Sequence, residues 1–191
     1  TIQKNDLENS FHNLNIKNKK FIFYPAQFWA HKNHKYIVEA VSSLKEKKNL
    51  NIFVVFCGSD RGNLNYIKNI VDKKKIKQNF YFFEFLNDKE VITLYKNAMA
   101  LVMPTYVARS SLPLFEAFYF KTPVFYSKNI LDEKLEKYVE TFDLEKSSEL
   151  ANKLEKFYKN ELSLDNKVND AHNFYLENCN EKKFSDNYIK I

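Results

Sequence analysis

Five short, unbroken apolar runs, each followed by residues of helical period, set the outer bounds on what this chain can fold into. The runs are Phe21-Ile22-Phe23-Tyr24, Ile52-Phe53-Val54-Val55-Phe56-Cys57, Phe80-Tyr81-Phe82-Phe83, Ala100-Leu101-Val102-Met103 and Val124-Phe125-Tyr126. A strand with one wet face alternates apolar with polar residues, whereas a strand covered on both faces has no reason to. Between the runs, Tyr36, Ile37, Ala40, Val41 and Leu44 share one helix face. Leu64, Ile67 and Val71 share another, and Val91, Leu94, Tyr95 and Ala98 a third, with Asn87 or Asp88 placed to cap that helix. Strand and helix in alternation predict an α/β fold: a single doubly wound, Rossmann-like domain with a parallel sheet between helices.

Residues 1–20 are polar, rich in Asn and Lys, and read as a tail or linker. The sheet domain spans 21–145. From 146 to 191 the pattern turns helical: Leu150, Ala151, Leu154, Phe157 and Tyr158 form one set, and Leu164, Val168, Ala171 and Tyr175 a second. A last short helix holds Phe184 and Tyr188. These C-terminal helices are expected to pack against a second domain and to leave an apolar patch here.

Composition narrows the chemistry. With 191 residues, 45% hydrophobic and 16% aromatic, the chain can bury a sizeable core. It has only 2 glycines and no G-x-G-x-x-G or P-loop pattern, so any phosphate site must rely on helix ends. The net charge of +6 is almost wholly lysine; Arg61 and Arg109 are the only arginines. Lys, Asn and Ile abound together, as in AT-rich coding sequence, which discounts the charge as a functional signal. The basic residues are scattered without aromatic interleaving, which argues against a nucleic-acid partner. Cys57 and Cys179 have neither metal nor redox spacing and suit a reducing compartment. No apolar run approaches membrane-spanning length, and the N-terminus lacks a signal-peptide pattern. The expectation is a cytoplasmic protein, with at most peripheral contact at the inner face of the plasma membrane.

Ligands of doubly wound sheets bind at the carboxyl ends of the strands, which points to loops 25–33, 58–63, 84–88 and 104–113. The segment 101–124 is the richest. It places Glu116 in a helix among Leu114, Phe115, Ala117 and Phe118, where a carboxylate is costly to bury unless hydroxyls of a ligand bind it. The preceding Ser110-Ser111-Leu112-Pro113 offers free backbone N–H groups, suited equally to a helix cap and to a phosphate. Lys32 follows the first strand directly. His31 and His34 lack a third metal ligand nearby and are expected to face solvent or cap a helix.

The stretch Tyr24-Pro25-Ala26-Gln27-Phe28-Trp29-Ala30-His31-Lys32-Asn33-His34 resembles the start of the C-terminal domain of bacterial GT-B glycosyltransferases. Pro104-Thr105-Tyr106, Leu112-Pro113-Leu114-Phe115-Glu116-Ala117 and Thr122-Pro123-Val124 resemble the same group. It is family 4, glycosyl transferases group 1, whose retaining enzymes build capsule and lipopolysaccharide. The resemblance covers about residues 20–130. It implies the donor-binding half of a glycosyltransferase of the hexosyltransferase class, with a nucleotide-diphosphate sugar as substrate and no cofactor or metal. Lys32 then neutralises the donor diphosphate as charge grows on the leaving phosphate. Glu116 grips the ribose hydroxyls. Arg109, Ser110, Ser111 and Leu112 meet the diphosphate and sugar, and the backbone at Glu84, Phe85 and Leu86 receives the base.

Two departures qualify the match. The first glutamate of the family's pair falls on Ala108, and the arginine common before the lysine is replaced, with Gln27 in its neighbourhood. A full GT-B enzyme also has an N-terminal acceptor-binding domain, so this half alone is expected to bind donor and transfer nothing. The rival readings are a GT-B sugar-nucleotide epimerase, for whose catalytic acids no residues present themselves, and a non-catalytic binding or assembly module.

Overall fold

The computed structural model describes residue 16 and residues 18–107, 112–146 and 148–179. The strands are β1 (Phe21–Pro25), β2 (Phe53–Cys57), β3 (Phe80–Phe83), β4 (Ala100–Met103), β5 (Val124–Ser127) and β6 (Glu140–Phe142). They form one parallel sheet in the order β3-β2-β1-β4-β5-β6. The four central strands owe their position to their composition: Phe21, Ile22, Phe23, Val54, Val55, Phe56, Leu101, Val102 and Phe125 are all fully buried. The helices are α1 (His34–Lys48), α2 (Leu64–Lys73), α3 (Asp88–Asn97), α4 (Leu112–Phe120), α5 (Glu133–Glu136), α6 (Glu149–Tyr158) and α7 (Asp165–Asn178).

The fold is therefore the single parallel α/β domain expected from the apolar runs. The cap of α3 forms as well: Asn87 Oδ1 accepts from Glu90 N at 3.0 Å, and Glu90 Oε2 accepts from Asn87 N at 2.9 Å. Two features differ from the sequence reading. A sixth strand, β6, extends the sheet beyond β5 in register Phe125 opposite Glu140. The C-terminal helices also pack on this domain itself. Leu150, Ala151 and Leu154 of α6 are buried, and Lys48 on α1 reaches Glu155 on α6 at 3.2 Å. On α7, His172 Nδ1 lies 3.1 Å from the Phe118 carbonyl of α4, and Tyr175 packs on Tyr119 with ring centroids 5.3 Å apart. α6 and α7 thus contribute to the packing of this domain, while Tyr119 and Leu176 beside that contact stay about half exposed. Phe184 and Tyr188 lie outside the described residues.

The order 3-2-1-4-5-6 reverses direction between β1 and β4. At that point the loops leaving two neighbouring strands diverge and open a crevice at their carboxyl ends.

Candidate functional site

A cleft of about 660 Å³ occupies this crevice. One wall is the end of β1 and the loop after it, through Tyr24, Ala26, Gln27, Trp29, His31 and Lys32; the other is Met103, Val107 and Pro113. The loops are tied to each other across it. The His31 carbonyl accepts from Tyr106 N at 2.9 Å and from Thr105 Oγ1 at 3.2 Å. Ser127 Oγ in turn donates to Thr105 O at 2.8 Å.

Lys32 ends a one-turn 3-10 segment, Ala30–Lys32, and Asn33 then takes a left-handed conformation (φ 53°) to start α1. Tyr24, buried in β1, donates its hydroxyl to the Lys32 carbonyl at 3.0 Å, which locks the segment onto the sheet. The Lys32 ammonium makes no salt bridge among the described residues. Burial holds its pKa below the usual lysine range, so the ammonium is an incompletely solvated charge that an anion in the cleft would satisfy.

The Ala26–Gln27 stretch of the wall is held from behind by His34 and Gly58, which do not themselves line the cleft. His34 is fully buried, so the sequence expectation of a solvent-facing or capping histidine is corrected. Its ring stacks on Phe28 with centroids 4.3 Å apart, and Nε2 donates to Ala26 O at 3.3 Å. Burial, aided by the nearby Lys32 charge against the opposing Ala26 bond, pushes its pKa down to about 4. Gly58, at the end of β2, presses against the same peptide: a Cβ there would sit 2.4 Å from Ala26 O and 2.7 Å from Gln27 N. Only glycine permits this approach.

Glu116 departs from expectation. Helix α4 buries Leu114, Ala117 and Phe118, and Glu116 lies on its exposed flank. No ligand is needed to offset a burial cost. Instead Tyr95 of α3, almost wholly buried, donates its hydroxyl to Glu116 Oε2 at 2.7 Å. Burial first, then the Glu116 charge, drive the Tyr95 pKa far above the usual phenol range, so this hydroxyl stays a donor. Glu116 is thereby pinned one turn beyond Pro113, a cleft-wall residue, without itself lining the cleft.

The remaining expected residues divide. Gln27 lines the cleft with Lys32. Leu112 is exposed at the start of α4, and Phe85 is 83% exposed in the loop after β3 beside exposed Glu84, whereas Leu86 turns into the core. None of these four borders the cleft. Ala108, Arg109, Ser110 and Ser111 lie outside the described residues. Among the described residues, no group of three or more His, Cys, Asp or Glu side chains is gathered for a metal, and no helix is long and apolar enough to cross a membrane. Sequence reasoning missed Tyr95, taken for one more apolar residue of its helix, and Arg61, discussed below.

The chain belongs to the glycosyl transferases group 1 family, whose sequence pattern it matches over residues 6–174. No curated protein matches it. Among solved structures, a glycosyltransferase from Rickettsia africae superposes with a TM-score of 0.84 at 16% identity, covering 100% of this chain and 52% of that one. The Anabaena protein Alr3699/HepE, solved in complex with UDP and glucose, gives 0.83 at 10% identity, covering 100% and 53%. The C-terminal domain of the group 1 family protein LpcC from Francisella tularensis gives 0.75 at 16% identity, covering 94% and 95%. The chain thus spans about half the length of the first two and nearly all of the isolated third domain. At these identities the likeness is one of fold: the chain has the fold of a single Rossmann-like GT-B half-domain.

Proposed function

We propose that this domain binds the nucleotide-diphosphate sugar donor of a retaining glycosyltransferase of the hexosyltransferase class. The product would be a bacterial surface polysaccharide, and an N-terminal domain would supply the acceptor. The observation that carries this reading is the switch-point cleft with the Lys32 ammonium on its wall, partly desolvated and without a carboxylate partner among the described residues. A diphosphate is complementary in charge to that ammonium, and a cation is what a departing nucleotide diphosphate needs as the sugar leaves it. On this reading Glu116, held by the Tyr95 hydroxyl, accepts from a ribose diol; the family resemblance alone assigns Arg109, Ser110, Ser111 and Leu112 to the diphosphate and sugar, and the backbone of Glu84, Phe85 and Leu86 to the base. The UDP and glucose bound by the Anabaena protein, which shares the fold, agree in ligand class. With attack and departure on one face, this half supplies no nucleophile; it positions the donor and stabilises charge. The site would face the cytoplasm, near the inner face of the plasma membrane.

Isothermal titration calorimetry of the 191-residue chain with UDP, GDP and their sugars tests this. The expected result is binding of one diphosphate series, weakened about tenfold or more in Lys32→Ala, since a charge-assisted contact to phosphate contributes on the order of 1.5–3 kcal/mol. No binding of any diphosphate would end the donor reading. Sugar transfer by this chain alone would overturn the assignment of acceptor chemistry to a second domain.

A further inference from the structure

A diphosphate carries more charge than one ammonium balances, and the second cation need not come from the loop that holds the first. In this chain nearly every basic residue is lysine, yet one of its two arginines, Arg61, falls in the loop that leaves the carboxyl end of β2. Arginine differs from lysine in its planar fork of donors, which matches phosphate oxygens in pairs. Arg61 lies at the lip of the cleft. Its Nε donates to Gln27 Oε1 at 3.3 Å, and its guanidinium carbon stands 5.8 Å from the centroid of the Trp29 ring. Gln27 and Trp29 both line the cleft, and Trp29 Nε1 donates to the same Gln27 oxygen at 3.0 Å. One amide oxygen therefore orients an indole and a guanidinium together.

The loop carrying Arg61 is rigidly placed. Phe28 N donates to Ser59 O at 3.0 Å, and Phe28 and Asp60 form an isolated parallel bridge, which ties this loop to the one bearing Lys32. Asp60 Oδ1 accepts from Gly62 N at 2.8 Å and from Asn63 N and Leu64 N at 3.1 Å each, fixing the turn that projects Arg61. Arg61 makes no salt bridge among the described residues. With Nε engaged by Gln27, its two terminal NH2 groups remain as donors.

We infer that Arg61, delivered from the β2–α2 loop and aimed by Gln27 and Trp29, is a second cation for the diphosphate held by Lys32. Gln27 then acts as a positioning residue: it aims the charge without carrying it. This assignment rests on the donor reading above.

The test compares wild type, Lys32→Ala, Arg61→Ala and Arg61→Lys for whichever of UDP, GDP and ADP binds tightest, and for its parent nucleoside by NMR titration. The expected outcome is a loss of about tenfold in diphosphate affinity for Arg61→Ala, partial recovery in Arg61→Lys, and nucleoside affinity unchanged in both. Arg61 is exposed, so the variants keep the fold, and matching thermal midpoints verify that. If wild type binds no diphosphate, the donor reading itself falls. If Lys32→Ala weakens binding and Arg61→Ala does not, the donor reading stands and Arg61 is only a cover for Trp29. An equal loss for nucleoside and diphosphate would show that Arg61 shapes the cleft rather than meeting phosphate, which also overturns the inference.

Discussion

The His34 ring makes the stability of this domain depend on pH in a window that can be computed. The unfolded chain protonates His34 near 6.5, whereas the folded chain resists until about 4 because the ring is buried under Phe28 and beside Lys32. Above pH 6.5 neither state binds the proton and this group is silent. Below it the unfolded state binds a proton that the folded state does not, so stability falls by about 1.4 kcal/mol per pH unit until the folded value is reached. Between pH 6.5 and 5 that is about 2 kcal/mol, and about 3 kcal/mol by pH 4. Asp60 and Glu140 are held below the ordinary carboxylate range. Their contribution is present above the unfolded carboxylate values and is lost only at more acid pH, so the upper window belongs to His34. His34→Phe keeps a ring against Phe28 and removes the titration. Urea unfolding followed by far-ultraviolet circular dichroism at pH 7.5, 6.5 and 5.0 should show wild type losing about 2 kcal/mol over the last interval and the variant less than about 0.5 kcal/mol. An equal slope in both proteins would refute the argument that this ring is held neutral by its burial.

Two further substitutions probe the same region. Gly58→Ala forces a Cβ to within 2.4 Å of Ala26 O, so the loop must move by about 1 Å; a loss of about 2–3 kcal/mol in urea unfolding is expected, and an unchanged midpoint would mean the loop yields freely. Tyr95→Phe removes the 2.7 Å bond to Glu116 without orphaning a buried donor, so stability should change by about 1 kcal/mol or less. Its effect should appear in ligand choice. The preference for UDP or GDP over the 2′-deoxy form, about tenfold in wild type if Glu116 accepts from the ribose diol, should narrow in this variant; equal affinities in wild type would remove that role from Glu116.

The central sheet was legible because strands buried on both faces leave a continuous apolar trace, and Phe21 to Tyr24 or Phe53 to Phe56 can be nothing else. β6 left no such trace. It is a three-residue edge strand opening with Glu140, whose oxygens meet Lys153 of α6 at 2.8 Å and Lys167 of α7 at 3.1 Å. A carboxylate neutralised from two helices that arrive later in the chain looks, in sequence, like a turn. The same non-local pairing hid the packing of α6 and α7. Glu116 was misjudged for a different reason. Leu112–Phe120 is apolar on nearly every side, so the helical period carries no information about which face is buried. Lys32 and Gln27 line the cleft because they follow the end of β1, where the topology opens it.

Arg61 shows what strand-end reasoning needs in addition. The β2–α2 loop was among the candidate loops, but within one loop nothing local ranks an arginine above its neighbours. Its relevance arises from three contacts made across to the β1–α1 loop: the Phe28–Ser59 bond, the Phe28–Asp60 bridge and the shared Gln27 oxygen. Ala26 is held from beneath by His34 and pressed by Gly58, and the His31 carbonyl is held by Thr105 and Tyr106. The Ala26 and His31 peptides of the cleft wall are thus fixed by residues from other parts of the fold. Polar groups set in place before a ligand arrives need no reordering when it binds, so the charge they present is used at full effect. On the donor reading, that would be the physical advantage of an anion site built from several loop ends in a chain with 2 glycines.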